Sequence, residues 1–288
     1  MSLTGGITML EKMVASLPPS EQKIALYIME HPKEAITATA SELGERTSTS
    51  SATVIRLCKS LGLNGFQDLK LRLAGDLQKG NVEGYRDIKP NVSYFSIIDK
   101  MTSNSIQALR ETSEIMNTEE LSKAVDLLSG APRIHFFGRG ASGLIATDAQ
   151  QKFLRINKNA TAFTDILMVA MQIANADPKD VLMGISFSGE TEDIVQALDM
   201  ANAKGVQTIS LTNYGNSPVS ERAMVNLFAS SSKVSPFRSA ATSSRLAQLH
   251  IIDILFMCLA TQQYDQTVRY LDQTRELTQS LNLKFTPE

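Results

Sequence analysis

Five short apolar runs, most of them separated by stretches with helical spacing, constrain the fold of this chain more than any other feature. They fall at 133–137, 159–163, 181–185, 206–211 and 224–229. Strands that are apolar along their whole length belong to sheets covered on both faces. The expected architecture is therefore α/β, with a five-stranded parallel sheet between helical layers.

Ligands of such sheets sit outside the carboxyl ends of the strands, and two serine-glycine loops fall there. Arg133 to Phe137 leads into Gly138-Arg139-Gly140-Ala141-Ser142-Gly143. Val181 to Ile185 leads into Ser186-Phe187-Ser188-Gly189-Glu190-Thr191. Each loop opens a helix, where free backbone N–H groups and the helix dipole favour an anion. The first loop matches the dinucleotide fingerprint, and Asp165 follows the next strand at about the spacing of a ribose-binding acid, roughly twenty residues on. The second loop is unexplained by a dinucleotide. Its three hydroxyls, on Ser186, Ser188 and Thr191 around Gly189, suit one compact phosphate monoester. A nucleoside triphosphate would call for a lysine after the glycines, and none is there. A sugar phosphate is thus the preferred ligand, with a dinucleotide as the alternative. A third polar stretch, Ser230 to Ser239, adds Arg238 as a candidate partner for a phosphate or carboxylate, against the plainer reading of a flexible loop.

The first eighty residues read differently. Pro18-Pro19 ends an apolar-periodic stretch from Ile7 to Leu17, and Ser20 is the expected cap of a helix running to His31-Pro32. Thr39-Ala40-Ser41-Glu42 is a capping box that starts a short helix ending near Arg46. The polar turn Thr47-Ser48-Thr49-Ser50 follows, and then a helix from Ser51 to Leu61 with Val54, Ile55, Leu57 and Cys58 inward and Gly62 as its stop. Short helix, four-residue turn and second helix make a helix-turn-helix, whose second helix can enter a major groove. Its outward face is expected to carry Ser48, Thr49, Ser50, Thr53, Arg56 and Lys59; a plain three-helix bundle with a solvated face is the alternative. A further helix from about Leu63, with Asn64 and Gln67 at capping positions, brings Lys70 and Arg72 near the DNA backbone. Lys79 to Asn91 is rich in Gly, Asn and charge and reads as a linker.

Charge supports that division. The whole chain has a formal net charge of −2. Residues 1–45 carry three basic and six acidic side chains, whereas residues 46–79 carry six basic and two acidic ones, a local surplus of four positive charges. A basic segment beside an acidic one is a localised footprint for a polyanion. With 43% hydrophobic and 20% charged residues the composition is that of a globular protein. Cys58 and Cys258 are expected to be buried thiols, and no Cys/His spacing suggests a metal. No apolar stretch is read as a membrane span and no leader is seen, so the expected location is the cytoplasm. His250 is read as a packed histidine, and the apolar run Ile251 to Ala260 as a surface for a partner subunit.

Ser50-Ser51-Ala52-Thr53-Val54-Ile55-Arg56, Gly138 to Ser142 and Ser186 to Thr191 together resemble the RpiR family of transcriptional regulators. That family joins an N-terminal helix-turn-helix bundle to a three-layer α/β/α sugar isomerase (SIS) domain, and the resemblance covers nearly the whole chain. It implies a helix-turn-helix domain over 1–79, a linker over 80–92 and a SIS domain over 93–288. The stretch Arg238 to Arg245 resembles members that sense N-acetylmuramic acid 6-phosphate. The resemblance also implies a phosphosugar effector, with its phosphate on Ser186, Ser188, Gly189 and Thr191 and its sugar bordered by Gly138, Gly140 and Ser142. It further implies operator DNA as partner, a homodimer or homotetramer, no cofactor and no membrane. The expected function is a sugar-phosphate-responsive regulator, and a repressor, of a carbohydrate or amino-sugar catabolic operon. The alternatives are an isomerase or etherase of the SIS type, for which Glu190 and Glu192 are the available carboxylates, and a dinucleotide-binding enzyme.

Overall fold

A computed structural model describes residues 4–78, 92–230 and 242–283. The described residues divide into two compact units, one comprising those up to Met116 together with Ser230, the other Asn117–Ala229 and those from Thr242 onward.

The first unit is helical. Its helices are α1 (Gly6–Met13), α2 (Pro19–Glu30), α3 (Pro32–Thr37), α4 (Ala40–Arg46), α5 (Ser51–Ser60), α6 (Phe66–Gln78) and α7 (Tyr94–Ile115). Helix α2 starts at Pro19, one residue before its expected cap at Ser20: a proline at the first helical position has the fixed φ the helix needs and no N–H to leave unpaired. The capping box of α4 forms as expected, with the Thr39 hydroxyl accepting from the Glu42 N–H and the Glu42 carboxylate accepting from the Thr39 N–H. Gly62 ends α5 at φ +67°, a left-handed stop. Asn64 and Gln67 do not show the expected capping; Asp68 accepts from the Asn64 N–H, and the Leu69 N–H donates to Gly65. Leu10, Ile24, Ile28, Leu43, Leu57, Leu69 and Leu73 are fully buried and form the core of this unit. A buried carboxylate, Glu111 on α7, lies 3.5 Å from the Lys12 ammonium and accepts from the Ser230 hydroxyl at 2.6 Å and the Gln107 amide at 3.0 Å.

The second unit begins with α8 (Thr118–Gly130), capped by Asn117. Strand β1 (Ile134–Gly138), helix α9 (Ala141–Arg155), β2 (Ala160–Phe163), α10 (Ile166–Ala174), β3 (Val181–Ile185), α11 (Glu192–Ala203), β4 (Gln207–Asn213) and β5 (Val225–Ala229) follow, and α12 (Thr242–Gln262) and α13 (Tyr264–Leu283) complete it. All strand pairs are parallel, in the order β2-β1-β3-β4-β5. Successive residues of β1 point to opposite faces. Phe137 joins Val169, Ile173, Ile194 and Leu198 of α10 and α11, while Phe136 meets Phe153 of α9 edge-on at 5.1 Å. The two helical layers of the expected α/β/α sandwich are thus in place.

Helix α12 bears on two expectations. At 21 residues it is long and apolar enough, by length and composition, to cross a membrane. Within this unit it packs on α8, α9 and β5 and buries Ile251, Ile252, Leu255 and Leu259, while Ile254, Phe256 and Cys258 are half-buried and Met257 is exposed, so half of the apolar run is internal core and the rest lies at the surface. Cys58 is buried as expected and its thiol is pushed up to about 12 by burial, so it is unreactive at neutral pH, whereas Cys258 is half-buried.

Candidate functional site

The order β2-β1-β3-β4-β5 reverses direction between β1 and β3, because the chain leaves β1 toward one edge and returns to add β3 on the other side. At such a switch point the connections leave on opposite faces and open a crevice at the strand ends. The first serine-glycine loop follows β1 and the second follows β3, so the two flank that crevice.

The first loop is tightly folded. Gly138 has no room for a side chain, since a Cβ there would strike the Ser142 carbonyl, and one on Gly143 would lie 2.8 Å from the Thr164 methyl. The Gly143 N–H donates to the Gly140 carbonyl at 3.0 Å, and Gly140 takes φ +54°. Ser142 is buried, and the Gln248 amide of α12, itself 1% exposed, approaches its hydroxyl at 3.5 Å. Asp165 accepts from the N–H groups of Leu167 and Met168 at 2.7 and 3.3 Å. It is the cap of α10, which employs the carboxylate that the dinucleotide reading required for a ribose.

The second loop gathers its hydroxyls. Ser186 Oγ lies 2.8 Å from Thr191 Oγ1 and 3.4 Å from Ser188 Oγ. Ser186 is buried, Thr191 half-buried and Ser188 exposed. The Gly189 N–H donates to Ser186 Oγ and the Glu190 N–H to Ser188 Oγ, each at 3.2 Å. Thr191 stands at the N-cap of α11 without a side-chain capping bond to the helix. Gly189 is left-handed, at φ +72°, and packs so tightly on the following strand's loop that a Cβ would strike Ser217. The arrangement offers hydroxyls and helix-start N–H groups to one small anion.

Three neighbours of the loops were not found from sequence. Arg139 spans the crevice walls: its Nη1 donates to the Thr164 carbonyl at 2.9 Å and its Nε lies 3.1 Å from Asp193 on α11. Its only sequence mark is a cation between two glycines. Gln248 had none, because a glutamine in an apolar helix reads as a surface position. Asn213, at the end of β4, donates its N–H to the Phe187 carbonyl at 2.9 Å, and its side-chain oxygen is buried without a hydrogen-bond partner among the described residues. Arg238 lies outside the described residues.

In the first unit, α4 and α5 are joined by the turn 47–50. Thr47 Oγ1 donates to the Leu43 carbonyl at 2.8 Å and sits 2.9 Å from Thr49 Oγ1, while Ser48 takes φ +52°. The two helices approach so closely that a Cβ on Gly44 would lie 2.8 Å from the Ser50 carbonyl carbon. Ser48, Ser50, Arg56 and Lys59 are exposed as expected and Thr49 is half-buried. The outward placement of Thr53 is corrected: it is 4% exposed, its hydroxyl lying 3.0 Å from Ser50 Oγ and accepting from the Arg56 guanidinium at 2.9 Å. At the third position of the helix it completes the cap instead of facing solvent. Ile55, expected inside, is 39% exposed in its stead. Lys70 is half-buried, donates to the Ala38 carbonyl at 3.0 Å and stands 5.7 Å from the Phe66 ring centre.

Comparison with known proteins agrees with both halves. Residues 4–80 match the helix-turn-helix domain of the rpiR family and residues 127–258 the SIS domain. The uncharacterised HTH-type transcriptional regulator YbbH of Bacillus subtilis is 53% identical over 281 residues, covering 98% of this chain and 99% of that one. The HTH-type transcriptional regulator HexR of Pseudomonas aeruginosa is 31% identical over 246 residues, 85% of this chain and 86% of its own. Among solved structures, the Vibrio vulnificus NanR protein complexed with ManNAc-6P aligns over 96% of this chain and 98% of its own, with a TM-score of 0.61 and 26% identity. With its DNA-reading motif, its SIS domain and a relative matched from end to end, the chain belongs to the rpiR family of helix-turn-helix transcriptional regulators.

Proposed function

We propose that this regulator binds a phosphosugar in its SIS domain and couples that binding to release of operator DNA. The observation that carries the reading is the cluster of Ser186, Ser188 and Thr191 hydroxyls at the start of α11, beside the β1–β3 switch point. The phosphate rests on Ser186, Ser188, Gly189 and Thr191, and Gly138, Gly140 and Ser142 border the sugar; the Arg238 side chain is a further candidate partner for the phosphate or a carboxylate. Ser48, Thr49, Ser50, Arg56 and Lys59 face the groove. Thr53 acts on DNA through the orientation of Arg56, and Lys70 through the backbone phosphates. The effector is an amino-sugar phosphate, N-acetylmuramic acid 6-phosphate being the first to test; NanR's complex with ManNAc-6P supports that class. The protein acts in the cytoplasm as a homodimer or homotetramer, represses a carbohydrate or amino-sugar catabolic operon, and turns over no substrate. Its relatives' names as regulators support the last point.

The test is a thermal-shift screen against a panel of phosphosugars, run on the wild type and on the S186A/S188A variant. A true effector raises the wild-type midpoint by mass action, by about 2.7 kcal/mol of stabilisation at a hundred times its Kd. The double variant is expected to lose that shift while keeping its affinity for operator DNA. An unaltered shift in the variant would move the phosphate elsewhere.

A further inference from the structure

The second loop runs straight into three carboxylates, Glu190, Glu192 and Asp193. Two of them lie in the first turn of α11. An acidic first turn is favourable for the helix itself, because it satisfies the same N-terminal partial charge that an anion would use. A bound phosphate and these carboxylates therefore compete for one set of N–H groups and repel each other. Glu192 is turned along the helix, where Gln196 donates to it at 3.0 Å. Asp193 is turned the other way, toward Arg139 across the crevice. Among the described residues, Arg139 is the cation paired with this acidic run. Its guanidinium is fixed at a second point by the Thr164 carbonyl, and Thr164 in turn packs against Gly143 of the first loop.

We propose that Arg139 is a positioning residue for the anion site: by holding Asp193 in an ion pair it removes an internal competitor from the helix start and ties the first loop to the second. This rests on the phosphate reading of the Ser186–Thr191 loop. The planar guanidinium serves both ends at once, Nη1 on the carbonyl and Nε on the carboxylate, which a point charge does less well. When Arg139 is removed, Asp193 is left as an uncompensated charge beside an incoming dianion and is free to satisfy the helix N–H groups itself. The loss of affinity is then electrostatic, and it is relieved by removing the Asp193 charge as well.

The experiment is a titration of the full chain with inorganic phosphate, followed by phosphorus NMR line broadening at low and at high sodium chloride. The variants are R139Q, D193N, R139Q/D193N and R139K, with S186A/S188A as the control for the loop. A unit charge left a few ångströms from a dianion near the surface predicts that R139Q weakens phosphate about 5- to 20-fold at low salt. That deficit shrinks as salt screens it. D193N is expected to tighten phosphate by about twofold, R139Q/D193N to return to within about twofold of D193N, and R139K to recover only part of the affinity, because its ammonium cannot serve the carbonyl and the carboxylate as the planar fork does. Wild-type affinity in R139Q, or R139Q/D193N binding as weakly as R139Q, would overturn the inference; the second result would place the guanidinium on the ligand. If S186A/S188A bound phosphate as well as the wild type, the phosphate reading itself would fall, and the inference with it.

Discussion

Gly189→Ala is the most exacting perturbation of the candidate site, because two independent penalties meet at one atom. The residue sits at φ +72°, where a Cβ collides with its own following carbonyl, at a cost of about 1–2 kcal/mol. The same Cβ would strike the Ser217 side chain, and overpacking of a tight contact costs about 1–3 kcal/mol more. The expected destabilisation is about 2–5 kcal/mol, and the pairing with Ser217 separates its parts. In G189A/S217G the clash is gone and the backbone strain remains, so the double variant is expected to be destabilised by about 1–3 kcal/mol less than the sum of the single effects. Native-state amide exchange of β3 and β4 reads this directly, without requiring the two units to unfold together. At the lower limit their protected amides exchange about 30-fold faster in G189A than in the wild type. A change below about 0.5 kcal/mol, or one no smaller in the S217G background, would refute the account of this loop as a strained, closely packed turn.

Three further outcomes follow from other parts of the chain. Arg56→Ala is expected to weaken operator binding by about 1–3 kcal/mol if its guanidinium reads a base edge, and electrophoretic mobility shift at fixed salt checks this. Burial holds the His135 imidazole below its ordinary value of 6.5, and neither ring nitrogen has a hydrogen-bond partner among the described residues. The unfolded chain thus takes up a proton that the folded chain refuses, so stability is level above pH 6.5 and declines below it; urea melts from pH 5 to 8 are expected to show that limb in the wild type and not in His135→Phe. Glu111→Ala leaves the Lys12 ammonium and the Ser230 hydroxyl without their carboxylate in a buried position. It is expected to cost the first unit about 3 kcal/mol, measured as amide-exchange protection of α1 and α7.

Much of the site was legible because its signals are local. A capping box, a left-handed glycine after a helix and a hydroxyl cluster before one are read within five or six residues, and Thr39-Glu42, Gly62 and Ser186–Thr191 all took the conformations their neighbours dictate. Thr53 was misplaced for a related reason. At the third position after an Ser N-cap a threonine is as apt to complete the cap as to face solvent, and only the packing of α4 against α5 decides between them. The Pro18-Pro19 break was legible too, but the helix began one residue earlier than Ser20 because proline at the first position needs no capping hydroxyl.

What the sequence determined by itself is the inventory: a DNA-reading helix pair, five strands, and two loops able to hold an anion at helix starts. What only the tertiary structure decided is which of these meet. The order β2-β1-β3-β4-β5 places the loops after β1 and β3 side by side at the switch point, although Ser186 stands 48 positions after Gly138 in the chain. The same order brings Arg139 to Asp193, Gln248 to Ser142 and Ser217 to Gly189. Local propensity has a range of a few residues, whereas these contacts are set by strand pairing and by the faces on which the crossover helices pack, and no short-range pattern encodes them.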